Sequence, residues 1–532
     1  MIPKNYLQTD MKTYTSVVIY ICISTFLFIL PSDVFAQMEG SVYSVTGRGG
    51  VGTTFVTDYQ SIGINPANLG ITKNYRDPKF TFGLMEANVS FSSEAISTSE
   101  LLNSITDYKT TRFNTDQKND AVKKFSDKTT TVDASVMLFG ASMKLPKKWG
   151  GVAVNIRDNI HTRTTTNEFA AEIMFFGAAS SYFPKLKMAN GDIIDNPRHT
   201  GSGDLTEEQR NQVIGGQFEN PDDAKSYSEV LSGTSAKSTW VREYNASWGA
   251  QLLETYDLQI YGGIGARYLQ GLLILDFEVD QTGTWNSPIF SSSFVNPQDV
   301  LSATSLSNTS SNGPLDADNR SMGQKIINPE PAGHGWGLDA GVTFVIKRKL
   351  RIGASISNFG KMTWSGDVYS INDGDLASIS GQGLDNYNFL INDQSAFQFA
   401  GTNSPLDWET KTVDETVDLP TVVRIGASYE FFRLVHVGVD VVLPQNDAAG
   451  NLENPFYAIG GDFKPFKLFS FSSGLNFGGN DENINIPLGI TYFARKGGYE
   501  AGISTHDVLS YFSQNTDGST ISIAGGFLRF KI

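Results

Sequence analysis

The chain has 532 residues and a formal net charge of −15 at pH 7; 12% of its residues are aromatic and only 18% are charged. Because contact with nucleic-acid phosphates requires a basic surface, we exclude nucleic acid as a partner. The one cysteine, Cys22, lies near the N-terminus, so the rest of the chain has no disulfide or thiolate metal site. No segment after residue 30 has roughly 18 consecutive apolar residues. This excludes a helical membrane protein but not a β-barrel, in which only alternate residues face lipid.

The first 36 residues have the layout of a secretory signal peptide. Lys12 precedes an apolar run from Val17 to Leu30, and Val34 and Ala36 occupy the −3 and −1 positions of a cleavage site. A retained membrane anchor is the alternative, but a run of about 14 residues is short for a spanning helix of roughly 20. We therefore predict that residues 1–36 are cleaved after Ala36. Translation from Met1 or from Met11 fits equally.

The dominant pattern after residue 78 is the alternation of apolar and polar residues over stretches of roughly ten residues, which is typical of half-buried strands. It is clearest at 423–431, where the odd positions are apolar and end in Tyr429 and Phe431. A soluble sandwich would also show alternation. The recurrence of an apolar face that ends in aromatic residues favours lipid, since aromatic residues collect at membrane interfaces. We predict strands at 79–92, 131–145, 149–164, 240–254, 258–281, 335–347, 350–363, 420–432, 434–443, 455–464, 467–478, 486–495, 498–512 and 519–532.

The fold class that follows is all-β: a closed antiparallel transmembrane β-barrel of about 14 strands, spanning 79–532, behind a small N-terminal hatch segment at 37–78. Long polar loops are predicted near 97–130, 182–238, 283–334 and 365–418. Outer-membrane barrels carry their long loops on one side, so an even number of strands must separate them. This parity holds only if 168–180 is a helix or plug element within a loop and 259–280 is one strand with a bend near Gln270.

The most specific motif precedes the first strand. Glycines permit tight turns and close packing, and Asn-Pro initiates a turn, so the segment suits a plug that folds back into the barrel. The glycine run lacks the Gly-Lys-Ser/Thr of a phosphate-binding loop, so we do not assign a nucleotide site. The motif residues are Gly47, Gly49, Gly50, Asp58, Asn65, Pro66 and Ala67.

This motif resembles the FadL-like outer-membrane transport superfamily, whose members carry a glycine-rich N-terminus, an aspartate and an Asn-Pro-Ala-Gly-Leu motif in a hatch that plugs a 14-stranded barrel. Asn65, Pro66, Ala67 and Leu69 match that motif, whereas Asn68 replaces its glycine. Segments 335–341, 353–360 and 419–426 resemble the Bacteroidetes branch that includes PorV-like proteins. The resemblance covers about residues 45–532. It implies a location in the bacterial outer membrane and a role for the motif residues in ligand binding or hatch movement.

We expect no catalytic centre, cofactor or metal. The five histidines have no partner at metal-ligand spacing, and no serine is singled out by a neighbouring base. Two acidic stretches, 316–319 and 372–375, suit a loose Ca²⁺ site but are also ordinary turn sequences. Arg267, Arg424, Glu430 and Asp440 are predicted to face the lumen. They would either line a transport path or form cross-strand pairs that stiffen the wall.

Two functions remain open, and each needs outer-membrane lipid around the barrel. The first, implied by the FadL-like resemblance, is passive uptake of a hydrophobic small molecule that enters between the long loops and is released by hatch movement. An apolar helix at 169–176 would line its entry cleft. The alternative is a PorV-like shuttle or scaffold for secreted protein cargo in type IX secretion, with the long loops as docking surfaces. A barrel without transport is the third possibility.

Overall fold

The computed structural model describes residues 42–71, 78–106, 112–146, 149–292, 329–365, 368–371, 373–387, 408–411, 414–431, 434–448, 450–452, 454–479, 484–512 and 519–532. The predicted signal peptide at 1–36, the acidic stretch 316–319 and most of the predicted loop 283–334 lie outside these residues.

Fourteen long antiparallel strands form a single closed sheet within the described residues. Each pairs with the next, and the last pairs back onto the first, with Ile523 opposite Val89. The sheet therefore has no open edge, which a bilayer would not tolerate. The strands are β1 (Phe80–Ser93), β2 (Lys128–Lys144), β3 (Gly151–Thr166), β4 (Ser235–Glu254), β5 (Leu258–Val279), β6 (Gly333–Ile346), β7 (Leu350–Trp364), β8 (Val422–Phe431), β9 (Val435–Pro444), β10 (Phe456–Phe463), β11 (Phe469–Gly478), β12 (Leu488–Ala494), β13 (Tyr499–Thr505) and β14 (Ser519–Lys531).

The predicted fold class is confirmed, including both assignments that parity required. Glu168–Phe176 is an α-helix, and β5 is one continuous strand whose pairing with β4 shifts register beside Gly271, next to the predicted bend. Short turns such as 255–257 and 347–349 join strands at one end of the barrel, here called the turn end. The opposite, loop end carries the long connections.

The outside of the barrel is an apolar belt. On β8, Ile425 and Tyr429 are exposed, whereas Arg424 and Ser428 between and beside them are buried. Each of the fourteen strands exposes at least one large apolar side chain. A continuous belt of this kind is the lipid-facing surface of a transmembrane barrel and far exceeds the apolar patches of soluble monomers. None of the helices in the described part of the chain is long and apolar enough to cross a bilayer.

Three of the long connections fold together at the loop end into a structure that we call the cap. It contains the helices α1 (Thr98–Thr106), α2 (Thr115–Phe125) and α3 (Glu168–Phe176) and a small sheet of Lys185–Met188, Ile193–Asp195, Val213–Gln217 and Ser378–Ser380. Its short α-helices are Pro197–Thr200, Glu207–Arg210 and Tyr227–Val230, and its 3-10 helices are Gly177–Ala179 and Pro221–Asp223. Further short strands lie at Trp285–Ser292, Val368–Ile371, Trp408–Lys411 and Glu415–Asp418, and further 3-10 helices at Arg495–Gly497 and Leu509–Tyr511.

The cap has its own apolar core, which joins residues far apart in the sequence. Phe113 and Phe125 from the first long connection contact Phe175 of α3 and Tyr387 from the fourth. α3 is therefore packed inside the cap, with Phe175 and Phe176 fully buried. The expectation that 169–176 lines an entry cleft is wrong, because Ala171, Ile173, Phe175 and Phe176 are buried in the contacts that hold the loops together, and Phe169 alone of the phenylalanines of α3 is exposed.

Candidate functional site

Residues 42–71, called the plug, lie inside the turn half of the barrel. The plug contains one helical turn (Tyr43–Thr46) and two 3-10 helices, Tyr59–Ser61 and Pro66–Gly70. Its side chains and backbone touch the inward faces of strands all around the barrel: Thr53 contacts β9, Asn65 contacts β6 and Asp58 contacts β14. The plug therefore fills the lumen from wall to wall at this level.

The glycine-rich part of the plug is held by a carboxylate on the wall. Asp440 of β9 accepts hydrogen bonds from the backbone N–H groups of Gly52 and Thr53, both at 2.8 Å, and from Thr53 Oγ1 at 2.7 Å. Gly50 has a φ of +97°, and a Cβ at this position would lie 2.6 Å from Phe456 Cε1. Only glycine lets the chain turn this close to the wall.

The Asn-Pro-Ala motif fixes the second 3-10 helix and anchors it to β6. The Asn65 side chain accepts from Ala67 N at 3.1 Å, and its Nδ2 donates to Thr343 Oγ1 at 2.9 Å. Thr343 Oγ1 in turn donates to Asn68 Oδ1 at 2.8 Å. Asn68, which replaces the glycine of the resembled motif, thus bridges the plug to the wall. Pro66 occupies the first position of the helix, where its missing N–H is harmless.

Asp58 anchors the other side of the plug through an ion pair with Arg529 of β14, which also binds Glu500 at 2.8 Å. Its carboxyl accepts from Gln60 N at 3.1 Å as the cap of the first 3-10 helix. Burial by itself would raise the pKa of Asp58, but the Arg529 guanidinium, with Lys531 and the Gln60 amide, holds that pKa below its usual value. Asp58 is therefore ionised at neutral pH.

A cavity of about 460 Å³ lies on the loop side of the plug and is called the upper cavity. Gly63 of the plug is part of its floor. One wall is apolar and includes Leu269, Met362, Trp364 and Leu419, which pack together as one cluster. The adjoining wall is polar, with side chains from β2 to β5: Asp133, Arg157, Asn159, His161, Glu243 and Arg267.

The two arginines of the polar wall differ in their partners. Arg267 is saturated: its guanidinium binds Asp339 at 2.9 Å and Glu243 at 3.1 Å. Arg157 is 4% exposed, and its Nε and Nη2 atoms have no hydrogen-bond partner among the described residues. A buried cation without acceptors is costly. Among the described residues that line the cavity, Arg157 and Trp364, whose Nε1 also lacks a partner, therefore have hydrogen bonds left to give, and of these two only Arg157 is charged.

The connection between β9 and β10 crosses the loop side of the upper cavity. A Cβ at Gly450 would lie 3.2 Å from His161 Cδ2 on the opposite wall. Asn446 Nδ2 donates to Leu419 O at 2.8 Å, and Asn451 Nδ2 donates to Thr421 O at 3.1 Å. These contacts hold the connection over the cavity, so that any ligand must enter beside it.

A second space of about 250 Å³, the lower cavity, lies at the turn end, on the other side of the plug. It is bounded by the plug residues Thr57, Asp58, Leu69 and Ile71 and by the turn-side ends of β1, β2, β3 and β14. The wall contributes Lys79, Lys144 and Lys531, so this space is more basic than the upper cavity.

The remaining predicted lumen residues serve the wall and the plug. Arg424 is buried on the inward face of β8, and Glu430 is half-buried on the same face near the turn end. Gly47 packs against Gly489, and Gly49 against Pro487. Sequence reasoning missed Arg157, although it stands in an inward run of polar residues on β3, with Asn155, Asn159 and His161, that alternation could have identified. It also missed the apolar wall of the cavity, for which no motif exists.

Of the predicted acidic stretch 372–375, Asp373 lies in an ordinary loop contact, where it accepts from Ser228 N at 3.0 Å. Within the described ranges no group of three or more His, Cys, Asp or Glu side chains is arranged to hold a metal ion.

Residues 213–491, just over half of the chain, match the model of the family of unknown function DUF5723. No curated protein matches the chain. Among solved structures, the Ralstonia pickettii toluene transporter TbuX is 12% identical with a TM-score of 0.41, over 93% of this chain and 99% of TbuX. The P. putida toluene transporter TodX is 10% identical with a TM-score of 0.39, over 93% and 99%. A Pseudomonas aeruginosa FadL homologue is 8% identical with a TM-score of 0.39, over 94% and 99%.

Two of these three structures are toluene transporters, and the third is a homologue of FadL. The PorV-like branch has no counterpart among the three.

Proposed function

Because the chain belongs to the DUF5723 family, whose function is unknown, we propose its activity from the geometry of the lumen: passive uptake of small amphipathic molecules across the bacterial outer membrane. The molecule has a hydrophobic body and an acidic or strongly hydrogen-bond-accepting head. The observation that carries the proposal is Arg157, a buried cation whose Nε and Nη2 have no acceptor among the described residues, in the same cavity as a cluster of apolar side chains.

The two walls of the cavity would contact different parts of the ligand. An apolar ligand body leaves water when it packs on Leu269, Met362 and Trp364, which stabilises the complex in proportion to the area buried. A carboxylate head would accept hydrogen bonds from Arg157, and the low dielectric of the lumen strengthens that interaction. Glu243 and Asp339 are already committed to Arg267, so they do not compete for Arg157 as direct partners.

The surroundings of the cavity support passive transfer in the outer membrane. The apolar belt matches a bilayer, and the predicted signal peptide would export the chain. The cap and the β9–β10 connection shield the cavity from the cell exterior, and the plug blocks the turn end. The ligand therefore enters from the loop side and is held above the plug, with diffusion down a gradient as the only driving force.

Ligand binding can be tested by quenching of tryptophan fluorescence, because Trp364 lines the upper cavity. The purified protein in lipid nanodiscs is titrated with a bromine-substituted dodecanoic acid and with the corresponding alcohol. We expect the acid to quench at lower concentration than the alcohol, and Trp364→Phe to reduce the quenching. Arg157→Gln should weaken binding of the acid by about tenfold or more, the effect of losing charged hydrogen bonds, and leave the alcohol unaffected.

A matched control is Arg348→Gln, which removes one positive charge from an exposed turn outside the cavity. It should bind both probes as the unsubstituted protein does. Equal loss in both variants, or equal binding of acid and alcohol, would contradict the role of Arg157. Absence of quenching by either probe, together with co-purification of secreted cargo, would instead favour the protein-shuttle alternative.

A further inference from the structure

The two cavities lie one above the other on the same three strands. On β2, Ser135 lines the upper cavity and Ser142 the lower; on β3, Arg157 lines the upper and Gly151 the lower. Six residues of an extended strand span roughly 20 Å. The two cavities thus lie along β1, β2 and β3, one nearer the loop end and the other nearer the turn end.

A single short piece of the plug separates them. Asp58 lines the lower cavity and Gly63 the upper, so only residues 59–62 lie between the two in the chain. Tyr59 and Ile62 from this piece pack against Met137 and Ala153 of the wall. Tyr59 is the largest side chain of this piece of the plug.

The ring of Tyr59 is seated in a slot made by two glycines. Gly83 of β1 and Gly140 of β2 are paired across the strands, and both face the ring. A Cβ at Gly83 would lie 2.1 Å from the Tyr59 hydroxyl oxygen, and one at Gly140 would lie 2.6 Å from Tyr59 Cδ2. The missing side chains leave a groove in the wall that the ring fills. Along β1 and β2, the two glycines lie between residues that line the upper cavity and residues that line the lower one.

We propose that this groove is the passage by which the ligand leaves the upper cavity for the turn end, and that the Tyr59 side chain is its gate. The inference rests on the proposed uptake function and names the route and the residue that closes it. One end of the gate is tethered: the Tyr59 hydroxyl donates to Glu86, which also accepts from Gln60 Nε2 at 2.9 Å. Packing against Ile62, Leu69 and Met137 also holds the ring in the slot, so rotation of the ring must break both the tether and this packing, while the rest of the plug stays docked.

The chain contains a matched control for the gate. Tyr43 of the plug is also seated in a slot of paired glycines, Gly502 of β13 and Gly526 of β14. It is as buried as Tyr59, but its slot lies on β13 and β14, neither of which lines the upper cavity. Removal of the Tyr43 ring is expected to loosen the plug to a similar degree as removal of the Tyr59 ring, without opening the groove.

The test is osmotic swelling of proteoliposomes in L-arabinose, a small neutral solute that needs no specific site. Tyr59→Ala is expected to swell severalfold faster than the unsubstituted protein. Tyr59→Phe keeps the ring, and Tyr43→Ala leaves the groove closed, so both are expected to swell at the basal rate. Heat-modifiable mobility on a gel confirms that each variant has a folded barrel.

Equal swelling of Tyr59→Ala and Tyr43→Ala would overturn the proposal, because it would show general loosening of the plug. Swelling of Tyr59→Ala at the basal rate would overturn it as well. The assay uses no ligand, so it is independent of the quenching experiment. Loss of acid binding with a retained Tyr59→Ala leak would remove the proposed substrate and leave the passage in place.

Discussion

At the scale of single residues, most of the buried charge in the lumen is paired and serves the structure. Arg267 binds Glu243 and Asp339, Asp440 binds the plug backbone, and Arg529 holds Asp58. Removing one partner of such a pair leaves the other charge buried and uncompensated, which is strongly destabilising. The geometry thus favours the structural role for these residues and leaves Arg157 as the candidate for ligand recognition.

The Asp58 anchor makes docking of the plug depend on pH. The folded pKa of Asp58 lies below its usual value of roughly 3.9. The stabilisation is fully present above that usual value and is lost as the pH falls through the lowered folded value. Hydrogen exchange of amides 42–71 should therefore be slow at neutral pH and accelerate, beyond the intrinsic effect of pH, only under acidic conditions.

In Asp58→Asn the same amides should exchange faster at neutral pH, and the acid-dependent component should be smaller. The exposed Asp195→Asn in the cap serves as control and should leave exchange in the plug unchanged. If exchange of these amides accelerated in acid as much in Asp58→Asn as in the unsubstituted protein, the acceleration would come from protonation of another group.

At the scale of elements, one lysine contacts all three of the long connections that form the cap. Lys118 of α2 is completely buried; its Nζ donates to Phe175 O at 2.8 Å and Gln382 O at 3.2 Å and pairs with Asp385 at 3.0 Å. Phe175 lies in the last turn of α3, where backbone carbonyls lack helical partners. Lys118 thus joins the first, second and fourth long connections. Burial lowers the pKa of Lys118, and the nearby Asp385 opposes that shift without cancelling it.

Lys118→Met should destabilise the cap by about 2–4 kcal/mol, somewhat less than for a fully buried pair because Asp385 is partly exposed. Limited proteolysis of folded protein should then cut the cap faster while the barrel keeps its heat-modifiable mobility. Lys123→Met, an exposed lysine on the same helix, should be cut at the original rate. Equal protection of both variants would show that the apolar core holds the cap without Lys118.

The elements also show which features a sequence can reveal. The alternation in 423–431 is local, so β8 and the other strands could be placed from the sequence alone. The helix α3 was found only through the parity of the strands. The cap could not be predicted, because contacts such as Phe113 to Tyr387 join distant residues and leave no period in the chain. The upper cavity was missed for the same reason: its apolar wall is assembled from separate strands.

At the scale of the whole molecule, three layers follow one another along the barrel axis: the cap, the upper cavity and the plug. The closed sheet supplies the rigid wall on which all three depend, and its outer face needs only apolar side chains at alternate positions. This division explains how one chain combines a polar interior with an apolar exterior while only 18% of its residues are charged.

The apolar belt gives a prediction that tests the whole arrangement. Ile264 is 61% exposed on the outward face of β5, six residues from its turn-end residue Leu258, whereas Tyr256 is 97% exposed in the turn itself. Ile264→Arg should cost about 2–4 kcal/mol of folding free energy in lipid vesicles and Tyr256→Arg about 0–1, because the cost of a charge depends on its depth in the bilayer. Denaturant titrations followed by tryptophan fluorescence would measure both. Similar costs for the two variants, or a chain that stays soluble and folded without detergent, would mean that the belt packs against protein and that the lumen is not a path across a membrane.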